Sequence, residues 1–203
     1  MVERGEGKAG VMHTFSNTAV DLLNFTADMV VKEDITQALS KNIRFNGHIT
    51  NNFTVYEHSM IGAAWAESPR HKLEALLHDT GEAYTGDIIL PMKECFPEIA
   101  EFEDKITAVI FDKLWPGNGL TAGGVYKKSP YMVQLDRDMA GCESYHFRPT
   151  HAFTQRTYEK QSEWYKLYLD LENKLLNSEL CDPEYPHGLF WRMYNKLLEE
   201  VNG

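Results

Sequence analysis

The chain has 203 residues, 43% of them hydrophobic and 25% charged, with a formal net charge of −10 at pH 7. That length suffices for one domain with its own core, and the acidic balance argues against general affinity for duplex nucleic acid or an anionic membrane. No apolar run approaches the roughly twenty residues of a membrane span, no signal peptide is recognisable, and Cys95, Cys142 and Cys181 are too few and scattered for a disulfide framework, so a cytoplasmic location is expected.

Residues 1–15 read as a loose N-terminal tail and 16–203 as one domain with a C-terminal helical extension. Residues 16–31 mix Val20, Leu22, Leu23 and Phe25 with turn-forming Asn24, which predicts a short irregular lead-in. Asp34 with Gln37 three positions on predicts a capped helix start. Asn46-Gly47 is a turn signal, and a small β-hairpin is expected near residues 43–55. Val55–Glu67 reads as a helix ending before Pro69, and Lys72–Ala83 as another, with Leu73, Leu76 and Leu77 as its core stripe. Ile99, Phe102, Ile106, Ile110 and Leu114 predict a helix over 97–114. Residues 116–130 hold two prolines and four glycines, a long loop of a kind that is often functional. A helix bearing Asp136 follows, with an irregular link near Phe147-Arg148-Pro149. Over Thr157–Leu176, one face carries Trp164, Leu167, Tyr168, Leu171 and Leu175, either core packing or a homo-oligomer interface. A loop over 177–187 and a last helix marked by Leu189, Phe190, Met193 and Leu197 complete an all-α bundle.

Chemistry concentrates in two segments. His58 stands in Val-Tyr-Glu-His-Ser (55–59), and His78-Asp79 opens His-Asp-Thr-Gly-Glu-Ala-Tyr-Thr-Gly-Asp (78–87). With Asp136 they form a mixed nitrogen and oxygen shell, suited to a divalent ion that activates water more than to a closed structural zinc. Glu82, four residues after His78 and three after Asp79, shares their face of an unbroken helix and is placed to move protons. Asp87 offers a second carboxylate after the Gly86 break. A His-Asp pair alone is common, and a histidine near Ile61, Gly62 and Trp65 is usually a core residue. The two segments and Glu82 together point to a metal.

The stretch from about Asp34 to about Glu143, just over half the chain, carries Glu-Asp-Ile-Thr-Gln-Ala-Leu-Ser (33–40), Arg-Phe-Asn-Gly-His (44–48), Glu-His-Ser (57–59), the 78–87 block with Leu90-Pro91 and Lys93, and Asp136 to Glu143. It resembles the HD-domain phosphohydrolases, in particular the subgroup of bacterial 5'-deoxynucleotidases and related phage nucleotide phosphohydrolases. The resemblance implies an HD-domain helical bundle that hydrolyses (deoxy)nucleotides at phosphorus. Phosphate would leave a monophosphate, or triphosphate a triphosphate. It implies one divalent ion (Zn, Co, Mn or Mg) on His58, His78, Asp79 and Asp136, with Asp138 as the rival acid. Glu82 and Asp87 would handle protons, Arg44 would meet the phosphate, and Phe45 would pack on the nucleoside, where many relatives have tryptophan. His48 is either a substrate contact or a loop histidine bonding backbone, and Lys93 is a candidate phosphate contact; Lys127 and Lys128 are expected to be solvated unless the substrate is a triphosphate, and His71, His146 and His151 to be structural or solvent-facing. Two other readings exist. A guanosine tetraphosphate or cyclic-nucleotide hydrolase is one, but the former usually carries an adjacent Glu-Asp pair, and Ala83 follows Glu82 here. A non-catalytic nucleotide sensor is the other, and it would be expected to lose Glu82 or a ligand.

Overall fold

The computed structural model describes residues 10–148, 155–179 and 185–203, with side chains at 10–148, 160–176 and 188–203. A short antiparallel hairpin, β1 (Val11–His13) and β2 (Ala19–Asp21), precedes a run of helices. These are α1 (Lys32–Leu39), α2 (Val55–Trp65), α3 (Pro69–Leu77), α4 (Glu82–Thr85), α5 (Leu90–Cys95), α6 (Pro97–Leu114), α7 (Pro130–Phe147), α8 (Gln155–Glu179) and α9 (Tyr185–Asn202). The expected all-α bundle is therefore the observed architecture. No helix among the described residues is long and apolar enough to cross a membrane.

Helix α2 lies at the centre. Every residue from Val55 to Ala63 is buried, so it has no solvated face to impose a period. Thr54 and Glu57 cap its start reciprocally: Thr54 Oγ1 accepts from the Glu57 N–H (3.3 Å), and Glu57 Oε2 accepts from the Thr54 N–H (2.7 Å). Around α2 pack α3, α7 and α8, while α9 lies against α3 and α1. A Cβ at Gly62 would meet the Met139 sulfur at 3.0 Å, so glycine lets α7 approach closely. At the other side an aromatic seam joins α2, α7 and α8. Phe53 meets Phe147 at 4.9 Å between centroids, and Trp164 stacks on Tyr168 at 5.8 Å. On the predicted stripe of α8, Trp164 and Leu171 are buried and Leu167, Tyr168 and Leu175 pack against the core.

Several elements depart from expectation. The hairpin lies at 11–21, pairing Met12 with Val20, where a tail and an irregular lead-in are expected. Residues 43–55 keep only an isolated bridge between Ile43 and Thr54. Phe45, Asn46 and Gly47 are all left-handed (φ 56°, 53° and 75°), which curls the chain out of a ladder. Asp34 does not cap a helix, because α1 begins at Lys32; its carboxylate instead accepts from the Ser16 N–H (2.7 Å) and Oγ (2.8 Å), tying the hairpin to α1. The expected Lys72–Ala83 helix is two pieces. Helix α3 uses Pro69 as its first residue under a Ser68 cap and ends at Leu77, and a turn over 78–81 separates it from α4. Helix α5, with Pro91 in its first turn, has no counterpart in the sequence reading. Helix α8 runs on to Glu179 and α9 starts at Tyr185, shortening the loop expected over 177–187. Residues 1–9 of the expected tail, Pro149, His151, Cys181 and Pro183 lie outside the described residues.

Candidate metal centre

Four elements meet at one buried point. His58 comes from the middle of α2, His78 is the C-terminal cap of α3, Asp79 follows in the turn, and Asp136 projects from α7. The strand-like pairing of Arg44 N–H with Phe53 O (3.0 Å) and of Val55 N–H with Asn42 O (2.9 Å) lays Arg44 beside α2. Gly81 seats the turn on α6: a Cβ there would collide with Thr107 Oγ1 and come within 3.3 Å of the Glu103 carbonyl.

Each histidine has one nitrogen committed. His58 Nδ1 bonds Glu143 Oε1 at 2.5 Å, and His78 Nδ1 bonds the Ala75 carbonyl at 2.8 Å. A carbonyl accepts only, so Nδ1 of His78 is the donor in that bond and Nε2 is the atom turned toward Asp79. The two Nε2 atoms lie 3.2 Å apart. Asp79 Oδ2 is 3.0 Å from His78 Nε2 and 3.5 Å from His58 Nε2, and Asp136 Oδ1 is 3.4 Å from His58 Nε2. Ligand atoms about 2.1 Å from a shared ion are about 3.0–3.4 Å apart at octahedral or tetrahedral angles, so these separations suit a common ion. The buried trio His58, His78 and Asp79 can hold a metal ion. Asp138, two residues after Asp136, turns away to Lys160 (2.8 Å) and Gln134 (3.1 Å).

The local field favours a cation. Burial and Arg44 push the His58 imidazolium down, but Glu143 and Asp136 outweigh them and lift it to about 9. Burial would raise Asp79, yet His78 and Lys128 hold it well below the usual carboxylate range. Asp136 is likewise held low against burial, chiefly by Lys128. Glu82 goes the opposite way: burial first, then Asp79, Asp87 and Glu103, push its carboxyl well above the usual range. Its Oε2 is buried with no hydrogen-bond partner among the described residues.

The other expected site residues divide. Arg44 is brought in, bonding Glu143 Oε2 through Nε at 2.9 Å with NH1 3.7 Å from Asp79 Oδ2. Phe45, half-buried, lies between the guanidinium groups of Arg44 (5.7 Å) and Arg148 (5.8 Å), on a backbone conformation a bulky side chain adopts only under strain. Asp87 is half-buried and its carboxyl is raised by burial against the pull of Arg44. Lys93 bonds Glu103 at 2.6 Å and lies 3.7 Å from Glu82, so carboxylates already engage it. His48 is exposed at the end of the 44–47 turn, with no hydrogen bond or ion pair linking its ring to the centre among the described residues.

Glu143 and Lys128 are the members that sequence reasoning missed. Glu143 is fully buried and joins His58 to Arg44; its spacing of seven from Asp136 puts both on one face of α7, a signal that was available. Lys128, expected in solvent, reaches Asp136 Oδ2 at 2.5 Å and Asp79 Oδ1 at 3.6 Å; nothing local in a glycine-bearing loop announces that direction.

No protein-family model matches the chain. It is 35% identical over 100 residues to the uncharacterized protein YfdR of Escherichia coli strain K12, covering 49% of this chain and 56% of that protein. It is 34% identical over 104 residues to an uncharacterized protein of Rhodobacter capsulatus, covering 47% and 53%. The chain thus spans about half the length of the curated relatives it matches.

Proposed function

We propose that the protein is a metal-dependent phosphohydrolase of the HD type acting on nucleotides. The observation that carries this reading is the pair of imidazoles whose Nδ1 atoms are occupied by Glu143 and the Ala75 carbonyl, so that Nε2 of each faces the inner oxygens of Asp79 and Asp136. Such outer partners fix the orientation of metal-ligating histidines. A divalent ion (Zn, Co, Mn or Mg) held there would supply Lewis acidity toward a phosphoryl oxygen and lower the pKa of water. The protein's own residues do the rest. Arg44 lies where its guanidinium neutralises charge developing on phosphorus-bound oxygens. Water forms the new bond to phosphorus as the ester bond breaks. The leaving oxygen takes a proton from Glu82, whose carboxyl is pushed up by burial and by the acids around it, and Asp87 accepts the proton that water loses. Phe45 offers an apolar face for the sugar or base beside Arg44. Products are a nucleoside with phosphate, or with triphosphate when the substrate is a triphosphate; the resemblance leans to deoxynucleotides.

The test is a release screen over deoxy- and ribonucleotide mono- and triphosphates with Mn, Co, Zn and Mg, run alongside His78→Ala. Wild type releases phosphate or triphosphate with at least one ion, and His78→Ala loses both bound metal and turnover. Full metal occupancy in His78→Ala, or no release from any nucleotide with any ion, would sink the reading.

A further inference from the structure

We infer that Lys128 is a positioning residue of the metal centre: its ammonium holds the outer oxygens of Asp79 and Asp136, which keeps the inner oxygens and the two imidazoles assembled with or without an ion. The inference rests on the metal reading of that site. Each carboxylate is divided between two duties. Asp136 gives Oδ2 to Lys128 (2.5 Å) and Oδ1 to the His58 side (3.4 Å); Asp79 gives Oδ1 to Lys128 (3.6 Å) and Oδ2 to His78 (3.0 Å). An ammonium between two acids that repel one another decides which oxygen of each turns inward.

The aim of this lysine is built into the fold. Its neighbour Ser129 donates to Glu74 through both N–H and Oγ, each at 2.7 Å, and Tyr126 donates to the same carboxylate at 3.3 Å. Glu74 is 1% exposed and sits one turn before His78 on α3, so one helix carries a metal ligand at its end and this latch on its flank. Lys127 N–H bonds Leu120 O (2.9 Å) and Tyr126 N–H bonds Asp104 O (3.0 Å), while Arg70 donates to the Asn118 carbonyl. The loop is thus anchored on both sides of Lys128, unlike a solvated surface segment.

Its charge has a second consequence. A cation fixed beside the acids lowers their mutual repulsion, but it also opposes a divalent ion a few ångströms away. Lys128 therefore assembles the ligands at the expense of ion affinity. A merely structural lysine has no such signature, since its loss would weaken ion binding.

The experiment uses the full chain, stripped by chelation, as wild type, Lys128→Met, Lys128→Arg, Asp136→Asn and the Asp136→Asn/Lys128→Met double variant. Thermal melting is measured without metal, and Mn2+ affinity by titration. Lys128→Met should melt lower without metal and, with the opposing charge gone, bind Mn2+ more tightly, on the order of tenfold. Lys128→Arg should restore both values, and Lys128→Met should cost much less stability in the Asp136→Asn background. An unchanged metal-free Tm, weaker Mn2+ binding, strictly additive stability losses, or a raised nucleotide KM as the sole change would each overturn the assignment. If wild type takes up no Mn2+, the metal reading fails, and the stability cycle still decides by itself whether Lys128 organises the two acids.

Discussion

The centre and the aromatic seam are both built where α7 crosses the neighbourhood of α2, and they are held together in opposite ways. In the seam, Phe53, Phe147, Trp164 and Tyr168 meet at centroid distances of 4.9–5.9 Å through apolar contact that tolerates small rearrangements. In the centre, nearly every polar atom has an assigned partner, from His58 Nδ1 on Glu143 to the two split carboxylates. The seam supplies stability without chemistry. The centre concentrates buried charge, and the Oε2 of Glu82, which has no hydrogen-bond partner among the described residues, is a cost to folding that the bonds around it must offset, as is the Trp164 Nε1 in the seam. Stability and activity should therefore separate under mutation, although both depend on α2 and α7.

The largest separation should come from Glu82→Gln. Turnover falls by about 10²–10⁴, the scale of a positioned acid or base, while thermal melting and bound metal stay at or above wild type. A loss of metal in that variant would make Glu82 a ligand. The converse variant is Trp164→Ala in the seam, where the ring is fully buried. Urea unfolding should show a loss of about 3–5 kcal/mol, with kcat of the still-folded fraction close to wild type. A specific collapse of kcat would join the two regions. Between them stands Glu143→Gln, which removes the charge that orients His58 and Arg44. Metal affinity should drop by about 10–100-fold, as read by metal analysis after dialysis.

A pH dependence sits at the boundary. Burial and the Glu172 side chain of α8 raise the Glu57 carboxyl from 4.5 to about 8. The folded protein keeps that proton where the unfolded chain has released it. Its stability therefore declines as pH rises from about 4.5 to about 8, by at most about 1.4 kcal/mol per pH unit. Glu172→Gln should flatten that slope in melts across the range. An unchanged slope would show that the two carboxyl groups are uncoupled.

The helical architecture was largely legible because buried stripes such as Ile106, Ile110 and Leu114 repeat at the helical period. Boundaries were not, where a long-range partner beat a local one: Asp34 reads as part of a cap and serves Ser16 instead. The Thr54–Glu57 capping box was legible and went unread. In the centre, the residues of the 57–59 and 78–87 blocks could be named because short-range spacing and a resemblance mark them. The break at 78–81 could not, since it follows from Gly81 seating against Thr107 on α6. Lys128 was illegible for a related reason: what aims it is Glu74, more than fifty residues away in the chain and hidden beneath the loop.

The order of the centre's parts along the chain also sets the order in which they become available during synthesis. His58, His78 and Asp79 are in place by residue 79, whereas Lys128, Asp136 and Glu143 belong to the loop and α7. A nascent chain halted in the 116–124 region holds His78 on the Ala75 carbonyl but His58 without its Glu143 partner, next to an α2 whose aromatic partners on α8 are also missing. The candidate cluster gains Asp136 and Glu143 only with α7, so its completion is tied to the packing of that helix.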